Sequence, residues 1–174
     1  MFVATLFALG ACGPEPPVWP ARFRLAQRRI PDDPTAGNAS TVTYYDSIAG
    51  ANLILITPDA NKSDVLWDLE LNTKKSFYFT PARRTCQRMS FPVGILRPDW
   101  LANASYLGIT ACPYAKSKRC SAWTKAQFID YYADLKTCEP VAWYFWSMKA
   151  MFTTVQYTAD ARAPAGYFQP PAYC

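Results

Sequence analysis

The chain contains no histidine. That excludes Ser-His-Asp and Cys-His nucleophilic systems and zinc sites built on imidazole. Acid–base chemistry would fall to 13 carboxylates or to Lys, Tyr and Cys side chains. Glycine is scarce, 7 residues against 15 prolines, and no Gly-rich phosphate loop is present. No C-x-x-C pair occurs, which speaks against thioredoxin-like redox chemistry and zinc ribbons. No stretch supplies the roughly 20 consecutive apolar residues of a membrane-spanning helix. Basic residues exceed acidic ones by 5, without the clustering a nucleic-acid interface needs. No metal or cofactor is implied, and no catalytic residue is assigned.

What is present is apolar and aromatic. Hydrophobic residues make up 51% of 174 positions and aromatics 16%. A chain of this length and composition can build one core without a metal. Met1 to Gly13, MFVATLFALGACG, resembles a secretory leader, although it lacks a basic start. Leu9-Gly10-Ala11-Cys12 also resembles a bacterial lipobox. Three sequons fit export: Asn38-Ala39-Ser40, Asn61-Lys62-Ser63 and Asn103-Ala104-Ser105.

If Cys12 leaves with the leader, Cys86, Cys112, Cys120, Cys138 and Cys174 remain. An odd number leaves one thiol free or paired between chains. Spacing does not settle the connectivity. The pairs expected are Cys86 with Cys174, and Cys112 with Cys120 or Cys138.

After a proline-rich lead-in, residues 14–20, period-two alternation dominates residues 21–174. Phe23 and Leu25 alternate with arginines. Thr41 to Asp46 and Asn52 to Thr57 read as a hairpin around Gly50. Val65, Trp67, Leu69 and Leu71 alternate with Asp68 and Glu70 as a half-buried strand. Ser76 to Thr80, Cys86 to Phe91, Ala122 to Ala133, Val141 to Ser147 and Met151 to Thr158 follow. Pro98 and Gly108 bracket one expected helix over about 99–107. The fold class expected is mainly β: a curved antiparallel sheet or half-barrel of about 8 strands, with that helix packed on it. Both faces of Val141 to Trp146 are apolar, so both should be covered.

The later half carries distinctive motifs. It reads F-P-V-G-I-L-R-P-D-W-L-A-N-A-S-Y-L-G from Phe91, then C-S-A-W-T-K-A-Q-F-I-D-Y-Y-A-D-L-K-T-C-E-P-V-A-W-Y-F, and ends Q-P-P-A-Y-C. It resembles a plant and green-algal family of small secreted proteins of uncharacterised function, often labelled "transferases, transferring glycosyl groups". Cys86, Cys120 and Cys174 fall on family-like positions, with Cys112 and Cys138 additional. The expected architecture is also similar to LolA-like lipoprotein carriers and ependymin-type half-barrels, which fold a sheet around an apolar cavity.

The functional expectation is a secreted, disulfide-containing, N-glycosylated protein binding a hydrophobic or lipid-like ligand in a sheet-lined cavity. Trp100, Phe128, Tyr132, Trp143 and Phe145 are the candidate lining. The alternative is a carbohydrate- or cell-wall-associated protein that stacks sugars on exposed Trp and Tyr. A glycan-active enzyme is a third reading, but Asp130 and Asp134 on one extended run would stand about 13 Å apart. That exceeds the roughly 5–9.5 Å of glycosidase pairs. Arg97 is expected to pair with Asp99 or with a strand carboxylate and so pin the helix to the sheet.

Overall fold

Local alternation becomes eleven strands in the computed structural model, which describes residues 12–174. They are β1 Arg22–Pro31, β2 Ala39–Asp46, β3 Ala51–Pro58, β4 Leu66–Leu71, β5 Lys75–Thr80, β6 Thr85–Ser90, β7 Ser105–Cys112, β8 Ala115–Lys125, β9 Ile129–Asp134, β10 Pro140–Phe145 and β11 Ala150–Ala159. All join one open antiparallel sheet in the order β6-β5-β4-β3-β2-β1-β11-β10-β9-β8-β7. Sequence neighbours pair within β1–β6 and within β7–β11, and β1 joins the two halves by pairing with β11. The first and last strands therefore meet mid-sheet, and β6 and β7 are the edges.

The two faces carry separate cores. Phe23, Leu25, Tyr45, Trp123, Ile129, Tyr131, Trp143 and Phe152 pack together. The cross-strand register puts them on one face. Trp19 from the lead-in and Trp100 with Leu101 cover them. Leu53, Leu69 and Phe79 point the other way. Tyr167, Phe168 and Tyr173 of the C-terminal tail cover that second core.

The first face is concave. Trp19 lies 5.5 Å from Tyr45 on β2 and 6.5 Å from Tyr131 on β9, ring centroid to centroid. The two tyrosine rings are thus at most about 12 Å apart, where four flat strand spacings would give roughly 19 Å. Sheet twist and coiling supply that curl.

Three disulfides join all six cysteines: Cys12–Cys138, Cys86–Cys174 and Cys112–Cys120. Cys86–Cys174 ties the tail down over the second core, and Cys112–Cys120 closes the β7–β8 hairpin. The expected odd thiol is corrected by Cys12. The leader reading falls on residues 1–11, outside the described residues, and on Cys12 and Gly13, which are described. Cys12 belongs to the folded domain: its N–H donates to Leu135 O at 2.7 Å, and its sulfur is bonded to Cys138. A sulfur held there cannot also carry a lipid.

The expected helix is also corrected. Residues 98–103 form successive turns, with Trp100 N–H on Arg97 O, Ala102 N–H on Asp99 O and Ala104 N–H on Leu101 O. Strand β7 then begins at Ser105. The turns aim Trp100 and Leu101 together at the concave face, and Gly108, at φ +100°, marks an irregularity in the β7 register rather than a helix end. The run Ala122 to Ala133 is two strands, because Ala126 and Gln127, both at φ +52°, turn the chain. These two changes each add a strand to the nine strand-like runs of the sequence and give eleven.

Candidate functional site

Trp19 is the hub of the concave face. Its ring meets Phe23 edge-on at 5.1 Å, Trp100 edge-on at 5.2 Å and Trp143 at 6.0 Å. Its Nε1 donates to the Tyr131 hydroxyl at 3.1 Å. Burial pushes the Tyr131 hydroxyl pKa well up, and the Trp19 bond only partly opposes that. Tyr131 stacks on Trp143 at 5.9 Å. The covering segments are pinned by polar bonds. Tyr45 donates to Leu96 O at 2.8 Å, Trp123 Nε1 to Pro14 O at 3.1 Å, and Lys125 Nζ to Trp100 O and to Ala102 O. Around Trp19 the concavity is filled by side chains packed on one another.

Farther along β1 the same face changes character. Gln27 stands directly between Thr41 on β2 and Thr154 on β11. Gln27 and Thr41 are each 2% exposed. Gln27 Nε2, Thr41 Oγ1 and Thr154 Oγ1 have no hydrogen-bond partner among the described residues. Asp68 joins them from the row Leu25–Thr43–Ile54–Asp68. It is 7% exposed, and its Oδ1 is unpartnered. Burial raises the Asp68 pKa to about 7, with the Glu70 charge adding and a Tyr78 hydrogen bond opposing. The same environment pushes Tyr78, opposite Asp68 on β5, up to about 12.

Trp100 Nε1 and Trp143 Nε1 are likewise buried without partners. Every buried, unpartnered side-chain atom among the described residues therefore lies on, or over, this one face. An unpaired buried polar group costs about 1–3 kcal/mol. The six lie on one curved surface, where buried water or a ligand can supply the missing bonds.

Of the expected lining residues, the structure brings Trp100, Trp143 and Phe145 together. Phe145 packs edge-on against Phe152 at 5.5 Å and Phe128 at 5.3 Å. Phe128 is the rim of this group, 44% exposed in the β8–β9 turn. Tyr132 is a correction. It pairs with Ala122 and Ala142, on the face opposite Trp143, because its neighbour Tyr131 is the residue in register with Trp123 and Trp143. Gln27, Thr41 and Thr154 were not legible as a site. Their only signal is polarity at positions in step with Phe23, Leu25 and Tyr45.

Arg97 and Asp99 do pair, Nε to Oδ1 at 2.9 Å. The pair is solvent-facing and local to the turns rather than a pin between helix and sheet. Asp134 accepts from the Lys136 and Thr137 N–H groups and faces Lys118, so it shapes a turn. The sequon residues Asn38, Asn61 and Asn103 are all exposed.

At the far end of β1, an open cleft of about 510 Å³ is lined by Arg29, Pro31, Asp32, Asp33, Ala36, Ser147, Met148 and Lys149. Arg29 follows Gln27 on the same face of β1, so the cleft adjoins the polar strip. Among the described residues no cluster of Cys, Asp and Glu could hold a metal ion, and no helix is long and apolar enough to cross a membrane.

A family model described as "Domain of unknown function (DUF8395)" matches residues 18–174, and the chain belongs to that family. Among solved structures, the fold is similar to that of an uncharacterized conserved protein from Thermus thermophilus. Its TM-score is 0.59 at 9% identity, over 87% of this chain and 86% of that one. At that identity the likeness concerns fold alone. A comparison with curated proteins finds no match.

Proposed function

We propose that this DUF8395 protein is an exported, N-glycosylated binding protein that holds a small amphiphilic molecule on the concave sheet face. One observation carries the reading: the unpartnered strip of Gln27, Thr41, Thr154 and Asp68 beside an aromatic floor. Binding sites pair mostly apolar walls with a few convergent polar groups, and this face has both. The apolar part of the ligand would lie against Phe145, Phe152 and Trp143. Its polar group would satisfy Gln27 and the two threonines. Ligand-bound carriers of this type need no catalytic residue.

Three disulfides support an oxidising compartment. The exposed sequon asparagines support glycan attachment there. Cleavage of a leader before Cys12 would keep the Cys12–Cys138 bond.

The test is native mass spectrometry of protein secreted from a eukaryotic host, followed by titration with a fluorescent lysophospholipid. The expected result is a bound species of small mass, or saturable uptake, lost in Gln27→Leu. No bound species, no uptake, and a Gln27→Leu protein that is merely more stable would show that the strip is only an internal packing defect, and would overturn the reading.

A further inference from the structure

An exposed aromatic pair adjoins the cleft beyond the polar strip. Strand β10 runs through Tyr144 and Phe145 into a turn, residues 146–149. Trp146 opens that turn and is 49% exposed. Tyr144 meets it edge-on at 5.0 Å. The Tyr144 hydroxyl donates to Asp32 Oδ2 at 2.6 Å, a bond that, with the Asp32 charge, pushes the tyrosine pKa up.

Asp32 is also held by its backbone, with its N–H on Lys149 O at 2.8 Å. The turn is itself fixed: Trp146 N–H donates to Phe128 O at 3.1 Å, and Lys149 N–H to Trp146 O at 3.3 Å. Next to Asp32, the Asp33 carboxylate is occupied by the Thr35 N–H and hydroxyl. Asp32 lines the cleft, and the exposed Tyr144–Trp146 pair adjoins it, tied to that lining through the Tyr144–Asp32 bond and through Ser147, the next residue in the chain.

We infer that this cleft is a second binding site, for a neutral oligosaccharide. An exposed indole face fits the apolar C–H face of a pyranose ring, burying area on both without a conformational cost. The Asp32 carboxylate accepts from sugar hydroxyls, and Arg29, Ser147 and Lys149 donate to them. Two cations and two carboxylates line the cleft and offset each other, which favours an uncharged chain over a polyanion. The cleft is open, so the sugar enters as an extended chain rather than an enclosed monomer. This site rests on residues other than Gln27, Thr41 and Thr154, and stands or falls apart from the concave face.

The experiment is titration of the full chain with the hexamers of cello-, xylo-, manno- and chito-oligosaccharide, read by tryptophan fluorescence and calorimetry. At least one hexamer should bind saturably. Trp146→Ala should weaken it about tenfold or more, with an unchanged melting temperature. Trp146→Phe should recover part of the affinity, Asp32→Asn should weaken binding, and Gln27→Leu should leave it unchanged. Three results would each overturn the inference. These are no saturable response to any hexamer at millimolar concentration, binding that survives Trp146→Ala, and binding lost in Gln27→Leu but not in Trp146→Ala, which would put the sugar on the concave face.

Discussion

Gln27 lies directly across the β1–β2 pair from Thr41, and both side chains are almost fully buried with a polar atom left unpaired. Side chains directly opposite on antiparallel strands stand about 5 Å apart, so the two share one microenvironment. The pair costs stability in the protein alone. That cost can be offset only from outside the pair.

The first prediction concerns that cost. Gln27→Leu with Thr41→Val replaces both polar groups by apolar ones of similar shape. Such double replacements are neutral to stabilising, by about 1–2 kcal/mol here. Denaturant unfolding of ligand-free protein measures it. A loss of more than about 1 kcal/mol would mean that the two groups are satisfied in the native state.

Asp68 predicts a pH dependence. Its folded pKa is about 7, against about 3.9 in an unfolded chain. A raised pKa means that the protonated form is favoured by folding. Its stabilising effect is therefore complete below about pH 4 and fades as pH rises through about 7. Asp46 and Asp134 run the other way. Partial burial raises both, but N–H donors with Arg22 or Lys118 outweigh it and hold their carboxyls low. Their loss sets in only in stronger acid. Stability should thus decline between about pH 4 and about pH 7, by up to on the order of 4 kcal/mol. Asp68→Asn should flatten that slope, as read from urea midpoints across the range. An equal slope in the variant would remove Asp68 as its source.

Trp19 and Cys12 should act together. Trp19→Ala removes the central ring of the first core and should cost about 3–5 kcal/mol. Cys138→Ser frees the lead-in at its start and should cost about 2–5 kcal/mol. In that variant the Trp19 segment is held by fewer bonds, so tryptophan emission should shift to the red and proteolysis should begin in residues 12–20. Unchanged emission and proteolysis would mean that the Trp19 ring alone holds the segment.

The C-terminal tail should behave as a separate cover. Cys86→Ser with Cys174→Ser releases the tail from the Leu53, Leu69 and Phe79 face. A loss of about 2–4 kcal/mol is expected, with hydrogen exchange rising in β3 to β6 and not in β8 to β10. Uniform protection loss across the sheet would show that the two cores unfold as one.

The local elements were largely legible in the sequence. Phe23 and Leu25 between arginines, and Trp67, Leu69 and Leu71 between acids, impose a two-residue period that only a strand satisfies. Failures came where local signals were absent or shared between structures. Pro98 and Gly108 suit the ends of a helix, but they suit a turn series and an irregular strand equally well. Ala126 and Gln127 turn the chain at positive φ without any Gly, Asn or Pro to announce it.

By itself, then, the sequence determined an antiparallel β protein with oxidised cysteines and an aromatic interior. Those properties follow from side-chain period and composition, which act over a few residues. Only the tertiary structure decided which face each strand shows to which cover. Asp68 looked like the wet side of a strand, yet it is buried, because the sheet curls and uses both faces. Cys12 found Cys138 across a separation of 126 residues, and Gln27 met Thr154 only because the first and last strands pair. Such relationships depend on long-range register, which no short stretch of residues encodes.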